Sequence, residues 1–468
     1  MRYLLNPDIA LRSWPGAARA YYKKGVSEAF GLSDTAFQIL LLCDGKNEIE
    51  ETPEVTRLLS EGIIRRCEAD GELSEWQKLH VYQNRYMPRL SLELTEKCNY
   101  RCRHCFNADD ALPESRAELS PEEIISILDQ AEKCGVNSIL ITGGEPFFYK
   151  QLPDLFQQIY RRNMFVDYIN TNGALITREF LDFLKDLGAS PVFKISFDGI
   201  GFHDWMRGVP GAEQVTLDKI RLCMENGFTV WAQINVNQRN LSVMSDTLDL
   251  LDSMGVSLGR IIRTTESPRW KENAGSDSFP IADYYDAMTD LALKYMSGNH
   301  RMRVSVWHFL ELCPERGEYY FNPLSDYRRS AYNENAPICK ESRGLMSIGA
   351  DGSVYPCMPL SGAMRTAGIK LENVKETPLK EILTDSRYLK LICTGVGERM
   401  RHNPECMECG YRKICRGGCP GLGFINTNRP GSFLGIDEWK CLFFQGGYMK
   451  KSEEKLRAFR NLIPLDEG

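Results

Sequence analysis

The chain has 468 residues, with 57 basic against 63 acidic side chains and a net charge of −6. This length exceeds a single hydrophobic core, so two or three domains are expected, and the mildly acidic balance argues against a broad nucleic-acid surface. No apolar run reaches the length of a membrane span, and Asn6, Pro7 and Asp8 interrupt any signal-peptide core at the N-terminus, so a cytoplasmic chain with no membrane or nucleic-acid partner is expected.

In residues 1–80, YLLNPDIALRSW and ARAYYKKGVSEAFGL read as short strands. SDTAFQILLLCDG reads as an amphipathic helix capped at Ser33 or Asp34 and stopped at Gly45. TPEVTRLLSEGIIRRC reads as a second helix followed by a strand from Ile63 to Cys67. Three strands with a winged-helix-like helical part resemble the peptide-recognition element of enzymes that modify ribosomally made peptides, and are similar to the small peptide chaperone of pyrroloquinoline quinone biosynthesis. The resemblance implies that the leader segment of a precursor peptide adds as a strand at an exposed sheet edge. A winged-helix DNA reader or a dimerisation module has the same outline, and the weak basicity counts against DNA. A polar, aromatic-bearing stretch follows, with residues 81–90 as the connector to the next domain.

LSLELTEKCNY then reads as a strand running into a loop, and TEKCNYRCRHCFN spaces Cys98, Cys102 and Cys105 as C-x3-C-x2-C. Sixteen cysteines in a reducing compartment point to metal binding rather than disulfides. A zinc ion would need a fourth ligand, and His104 lies too cramped between Cys102 and Cys105 to close a tetrahedron easily. A [4Fe–4S] cluster on three thiolates instead keeps one iron open for an outside amine and carboxylate.

CNYRCRHC resembles the signature of the radical S-adenosylmethionine (SAM) enzymes, and later segments follow that family's order. ILITGGEPFF supplies a strand and then Gly143, Gly144 and Glu145, similar to the motif that holds the amino group of SAM. VDYINTNG ends a third strand with Asn172, and FKISFDG ends a fourth with Ser196 and Asp198, followed by HDWMRG with Arg207. VWAQINVN adds a fifth with Gln233, and GRIIRTTESP a sixth. The resemblance implies SAM contacts from His104, Gly143, Gly144, Glu145, Asn172, Ser196, Asp198, Arg207 and Gln233. Taken alone, Gly143-Gly144 reads equally as a tight turn, and Ser196 and Arg207 as solvated loop residues. The intervening SPEEIISILDQAEKCG has Ser120 as N-cap, Pro121 at N1 and Glu123 at the capping-box position, while two further helical patterns end at Gly188 and Gly227. Repeated strand–helix units mean parallel strands. The resemblance implies a partial (β/α)6 barrel over residues 91–267, with its chemistry at the C-terminal strand ends.

Residues 268–335 form a bridging region, with a helix capped near Pro280 and a stretch rich in Tyr and Arg that suits either a substrate wall or domain packing. Beyond it come Cys339, Cys357, the run Cys406-x2-Cys409-x5-Cys415-x3-Cys419, and Cys441. A zinc ribbon also uses C-x2-C pairs, but the whole spacing is similar to the seven-cysteine SPASM domain, here residues 336–445. That resemblance implies two auxiliary [4Fe–4S] clusters. Cys406, Cys409, Cys415 and Cys441 would hold the outer one, and Cys339, Cys357 and Cys419 the inner one. Some SPASM enzymes have an eighth cysteine soon after the first; KESRGLMSIG has none, so the inner cluster either keeps an open iron or borrows Cys393 or Cys313. The anaerobic sulfatase maturases place an aspartate base where this chain has Met358. The other scattered cysteines read as small buried side chains, and residues 446–468 as a solvated helix.

The sequence therefore suggests an α/β radical SAM enzyme with three [4Fe–4S] clusters, SAM, an N-terminal winged-helix-like domain and a cysteine-rich C-terminal domain. The expected activity is oxidative crosslinking of a ribosomally made precursor peptide through a 5′-deoxyadenosyl radical. A thioether is favoured over a C–C or C–O bond, and an external flavodoxin- or ferredoxin-type protein donates electrons. The alternatives are a radical SAM enzyme oxidising a small molecule such as a tetrapyrrole side chain, and a non-catalytic iron–sulfur protein. No residue stands out as the general base.

Overall fold

The computed structural model describes residues 1–67, 71–106, 117–264, 267–324, 332–339, 341–426 and 432–464. Its centre is a run of six parallel strands in spatial order: β8 (Arg89–Glu93), β9 (Ser138–Thr142), β10 (Phe165–Thr171), β11 (Val192–Ser196), β12 (Val230–Val236) and β13 (Leu258–Arg263). These are the six strands expected, and helices such as Pro121–Lys133, Leu152–Arg161 and Arg178–Asp186 cross between them. The first has the capping box of Ser120 and Glu123, with Pro121 in the first turn. Alternation then divides each strand between two faces. Ile139, Ile141, Ile169, Phe193, Ile195, Ala232, Ile234 and Ile261 join the helices in one apolar core.

The other face lines the lumen and is polar and aromatic. Lys194 is only 9% exposed, with its ammonium 3.4 Å from the Tyr168 ring centroid and 4.9 Å from that of Trp231. Cation–π attraction compensates part of its lost hydration. Burial, reinforced by Arg260, still lowers its pKa to about 7.

The sheet runs beyond the expected barrel on both sides. The bridging region adds a seventh parallel strand, β14 (Arg303–Val306), and an antiparallel pair, β15 (Leu310–Cys313) and β16 (Glu318–Phe321). Its helix, Ile281–Met296, begins after Pro280 as expected; residues 325–331 of its Tyr/Arg-rich stretch lie outside the described residues. At the opposite edge, β17 (Leu345–Ile348) of the cysteine-rich region pairs in parallel with β8 and carries β18 (Val354–Tyr355). The chain end is not the solvated helix expected. After Tyr448–Lys455, with Met449 and Ser452 buried, the chain turns and β19 (Arg460–Asn461) pairs with β16. Leu456 is fully buried in the main core, so apolar packing holds this end down.

The N-terminal unit contains both expected helices, Asp34–Leu42 capped by Ser33 and Pro53–Ser60 capped by Thr52. Its strands form two small sheets, more than the three strands expected. One has the order β5-β1-β6, from Asp44–Glu48, Arg2–Leu5 and Ile64–Cys67. The other has the order β4-β3-β2-β7, from Phe30–Gly31, Ala17–Lys23, Ile9–Trp14 and His80–Val81. The helix ends sooner than expected, at Leu42 with Cys43 as its C-cap, and Gly45, at φ +81°, lies inside the strand Asp44–Glu48 rather than stopping the helix. Trp14 stacks on Tyr82, and the Trp14 indole and Tyr22 hydroxyl donate to the carbonyls of Cys134 and Gly135. The unit is thus seated on the loop that precedes β9, at the N-terminal ends of the barrel strands.

In the native chain Lys194 gives up its proton near pH 7, whereas the unfolded chain keeps it to the ordinary lysine range. Native stability should therefore rise with pH above about 7, by at most about 1.4 kcal/mol per pH unit. Anaerobic urea titrations at pH 7 and 9 should show this gain in the wild type and lose it in Lys194→Met.

Candidate functional site

The loop carrying Cys98, Cys102 and Cys105 has no regular structure, and strand ends hold it in place. Gly144 N–H donates to Thr95 O at 2.6 Å and Glu145 N–H to Lys97 O at 2.8 Å. A side chain at Gly144 would run into the carbonyls of Lys97 and Glu96, so this close approach requires glycine. On the other side, Arg101 and Arg103 N–H donate to the carbonyls of Arg207 and Met206 in the short helix His203–Arg207. Burial pushes the Cys98 thiol up to about 12, and the nearby Cys102 and Cys105 act in the same direction. Three mutually repelling thiolates are stable only around a cation.

Glu145 is fully buried. Its carboxylate accepts from the Thr171 hydroxyl at 2.7 Å, Asn172 N–H at 2.8 Å and Phe147 N–H at 3.3 Å. Burial outweighs these bonds and lifts its pKa to about 7, so an arriving ammonium group would favour its charged form. Asn172 also donates to Asn99 Oδ1 at 2.8 Å, which joins the second strand end to the cysteine loop.

Asp198 and Arg207 form a buried bidentate pair, with separations of 2.6 and 3.0 Å. Burial alone would raise the Asp198 carboxyl, but Arg207 holds it well below the usual range. Arg207 also reaches Cys102 Sγ at 3.6 Å. The sequence-expected Asp198 therefore orients Arg207 and fastens β12 through Asn235 N–H at 3.0 Å. His104 is neutral, lowered to about 3 by burial and then by Arg207, and its buried Nδ1 has no hydrogen-bond partner. Gln233 Nε2 is likewise buried without a partner, and Ser196 pairs with Gln233 in the sheet register. The cysteine loop, Glu145, His104 and Gln233 thus sit at one end of the barrel with hydrogen-bonding capacity unspent, which suits the cluster and SAM implied by the motif.

The remaining cysteines fall into two groups. Cys406, Cys409 and Cys415 all act on the thiol of Cys441, which is pushed up to about 12 chiefly by burial. Cys419 and Cys339 act on Cys357, whose thiol burial raises strongly. This is the division expected. Asp437, fully buried, joins the two groups by accepting from Cys419 N–H at 3.1 Å while capping the helix Glu438–Gln445 that carries Cys441. Asp437 was not visible as a site residue because an N-cap aspartate is common. Cys393 is exposed, with its sulfur against Arg85, and Cys313 ends β15. Cys43, Cys134 and Cys223 are buried as expected of structural thiols.

A barrel of this form with a cysteine triplet at its mouth defines a radical SAM protein. Residues 92–250 match the radical SAM superfamily, and residues 339–410 match the SPASM iron–sulfur cluster-binding domain. The Fe-coproporphyrin III synthase of Methanosarcina barkeri is 36% identical, covering 70% of this chain and 82% of that protein. The antilisterial bacteriocin subtilosin biosynthesis protein AlbA of Bacillus subtilis is 24% identical over 86% of each chain. The crystal structure of Streptococcus suis SuiB bound to precursor peptide SuiA superposes with a TM-score of 0.65 and 18% identity, covering 92% of this chain and 98% of that one. The chain belongs to the radical SAM superfamily, with a SPASM domain, and is an enzyme whose cofactors are SAM and several iron–sulfur clusters.

Replacing Cys98, Cys102 and Cys105 together with Ala should abolish formation of 5′-deoxyadenosine from SAM under reducing conditions. Gly144→Ala should displace the cysteine loop and cut the same activity by roughly 100-fold, with the iron of the auxiliary sites retained in the electron paramagnetic resonance spectrum.

Proposed function

We propose that this enzyme oxidatively crosslinks a ribosomally made precursor peptide, with a thioether as the favoured bond. The observation that carries this reading is how far similarity extends along the chain. The bacteriocin biosynthesis protein and the peptide-bound structure cover 86% and 92% of it, against 70% for the coproporphyrin synthase. A small-molecule enzyme has no evident use for the N-terminal unit.

That unit has a short outer strand, β4, whose two residues are both exposed. Phe30 of this strand stacks on Tyr21, and Leu41 and Leu42 are exposed on the following helix. An extended leader could pair along this edge and cover those apolar side chains. The unit sits at the end of the barrel away from the cysteine loop. A bound peptide must therefore reach past strands of five to seven residues, about 20 Å. At about 3.3 Å per extended residue, the segment between leader and modified residue needs at least roughly six residues.

At the barrel mouth, Glu145, His104, Gln233, Asn172 and Ser196 would bind and orient SAM, beside the Gly143-Gly144 turn. Asp198 and Arg207 steady Cys102. When bound, SAM and three [4Fe–4S] clusters supply a radical that removes a substrate hydrogen atom and take up the electron left after bond formation. The peptide loses two hydrogens overall. Reduction is supplied by an external flavodoxin- or ferredoxin-type protein. The 36% identity to a tetrapyrrole enzyme supports a second reading, oxidation of a tetrapyrrole side chain.

Full-length enzyme used as bait in an anaerobic extract should capture a small peptide that becomes about two hydrogens lighter on incubation with SAM and reductant, as read by intact mass. Phe30→Glu should weaken that capture by at least about tenfold, since it puts a charge into the proposed apolar contact. SAM cleavage with no captured peptide, but with turnover of an added porphyrin, would move the assignment to the second reading.

A further inference from the structure

The short helix Arg387–Ile392 is tied to both chain segments that carry the inner cysteines. Ile338 N–H, beside Cys339, donates to Thr394 O at 2.9 Å just beyond the helix end. Val396 N–H returns to Ala336 O at 2.8 Å, so this segment is held twice. On the other side, Glu372 O accepts from Val354 N–H at 3.0 Å, in the strand β18 that leads to Cys357. The Glu372 carboxylate meanwhile accepts from Arg387 N–H at 2.8 Å and Tyr388 N–H at 3.0 Å, in the first turn of the helix. Tyr388 is thereby fixed to the segments that bear Cys339 and Cys357.

Tyr388 is fully buried, and its hydroxyl has no hydrogen-bond partner among the described residues. A buried donor without an acceptor is costly. The charges acting on the phenol are, in order of strength, those of Cys357 and Cys339, then Arg85 and Cys393. Burial outweighs them all and keeps the proton on the oxygen, so the group is a donor. Arg85 has only N–H groups to offer and cannot receive that proton. Its guanidinium lies against the sulfur of Cys393, which is exposed. The acceptors left for Tyr388 are on the side of Cys357 and Cys339. Cys357 is acted on in turn by Cys419 and Cys339, the same three residues that form the inner group. A [4Fe–4S] cluster on these three would bring sulfide and thiolate acceptors to a hydroxyl that bonds neither thiol directly.

We propose that Tyr388 donates a hydrogen bond to the sulfur of the inner auxiliary cluster and thereby raises its reduction potential. The inference rests on Cys339, Cys357 and Cys419 holding a cluster, and it is independent of which substrate the enzyme oxidises. A hydrogen bond to sulfur favours the reduced cluster, which carries one more negative charge. The inner site is then a readier acceptor for the electron left after bond formation.

The test uses reconstituted full-length enzyme carrying Cys98→Ala, Cys102→Ala and Cys105→Ala, so that only auxiliary clusters give an electron paramagnetic resonance signal. Adding Cys357→Ala identifies the inner signal by its loss. In a redox titration, Tyr388→Phe should shift the inner midpoint to more negative potential and leave the outer one in place. At the wild-type midpoint, the ratio of reduced to oxidised inner cluster should fall about fivefold, the weight of one hydrogen bond. In deuterium-exchanged samples, electron–nuclear double resonance should find an exchangeable hydrogen coupled to the inner signal, lost in Tyr388→Phe. An unchanged midpoint, or a coupling that persists in Tyr388→Phe because a water supplies it, would overturn the proposal. Should Tyr388→Phe fail to fold or to hold the inner cluster, the wild-type coupling decides alone, upholding the hydrogen bond if present and removing it if absent. Two signals that both survive Cys357→Ala would remove the cluster assignment itself, and the proposal with it.

Discussion

The backbone hydrogen bonds that hold the Cys98–Cys105 loop between the Gly144–Glu145 turn and the His203–Arg207 helix are the constraint on which the site depends. Three thiolates must face one point, and a loop with no regular structure cannot impose that geometry alone. The loop is therefore held on one side by the ends of β8 and β9 and on the other by a helix that follows β11. Gly144 and Gly208 permit these approaches, since a Cβ at either position would meet loop backbone. The Asp198–Arg207 pair adds a charged brace whose far end reaches Cys102. Buried ion pairs are poor sources of net stability but hold geometry where both partners are satisfied.

Continuity of the sheet extends this constraint to the rest of the molecule. β17 pairs with β8, so the cysteine-rich region begins as a further strand of the same sheet that ends in the first cysteine loop. The bridging region continues the opposite edge through β14 and places Trp307 and His308 beside the SPASM domain. Separations between cysteine groups are thus set by a rigid hydrogen-bonded frame rather than by linkers. Among the described residues no helix is long and apolar enough to cross a membrane.

The position of the N-terminal unit bears on how a peptide would be handled. Its contacts run to the turn before β9, through Trp14, Tyr22, Asn84 and Asn137, at the end of the barrel opposite the cysteine loop. Gly135 makes this possible, because a side chain there would press on Tyr82 and Trp14. On the peptide reading proposed above, recognition and chemistry would be separated by the height of the barrel. An enzyme organised in this way would select its substrate by a segment distant from the reacting residue, leaving the modified position free to vary.

Local spacing was enough to read the six barrel strands, the Ser120–Glu123 capping box and the cysteine groupings, because each depends on residues a few positions apart in the chain. Glu145 was equally legible, since the two glycines before it mark a close backbone approach. Other features depend on pairings across hundreds of residues: the register of Leu345–Ile348 against Arg89–Leu92, and the seating of Leu456. Tyr388, Cys339 and Cys357 belong to separate segments, and Tyr388 alone resembles an ordinary core residue. The sequence by itself determined the family and the order of strands. Only the tertiary structure decided which polar groups meet in a buried space, because desolvation and orphaned hydrogen bonds exist only once distant segments have closed around them.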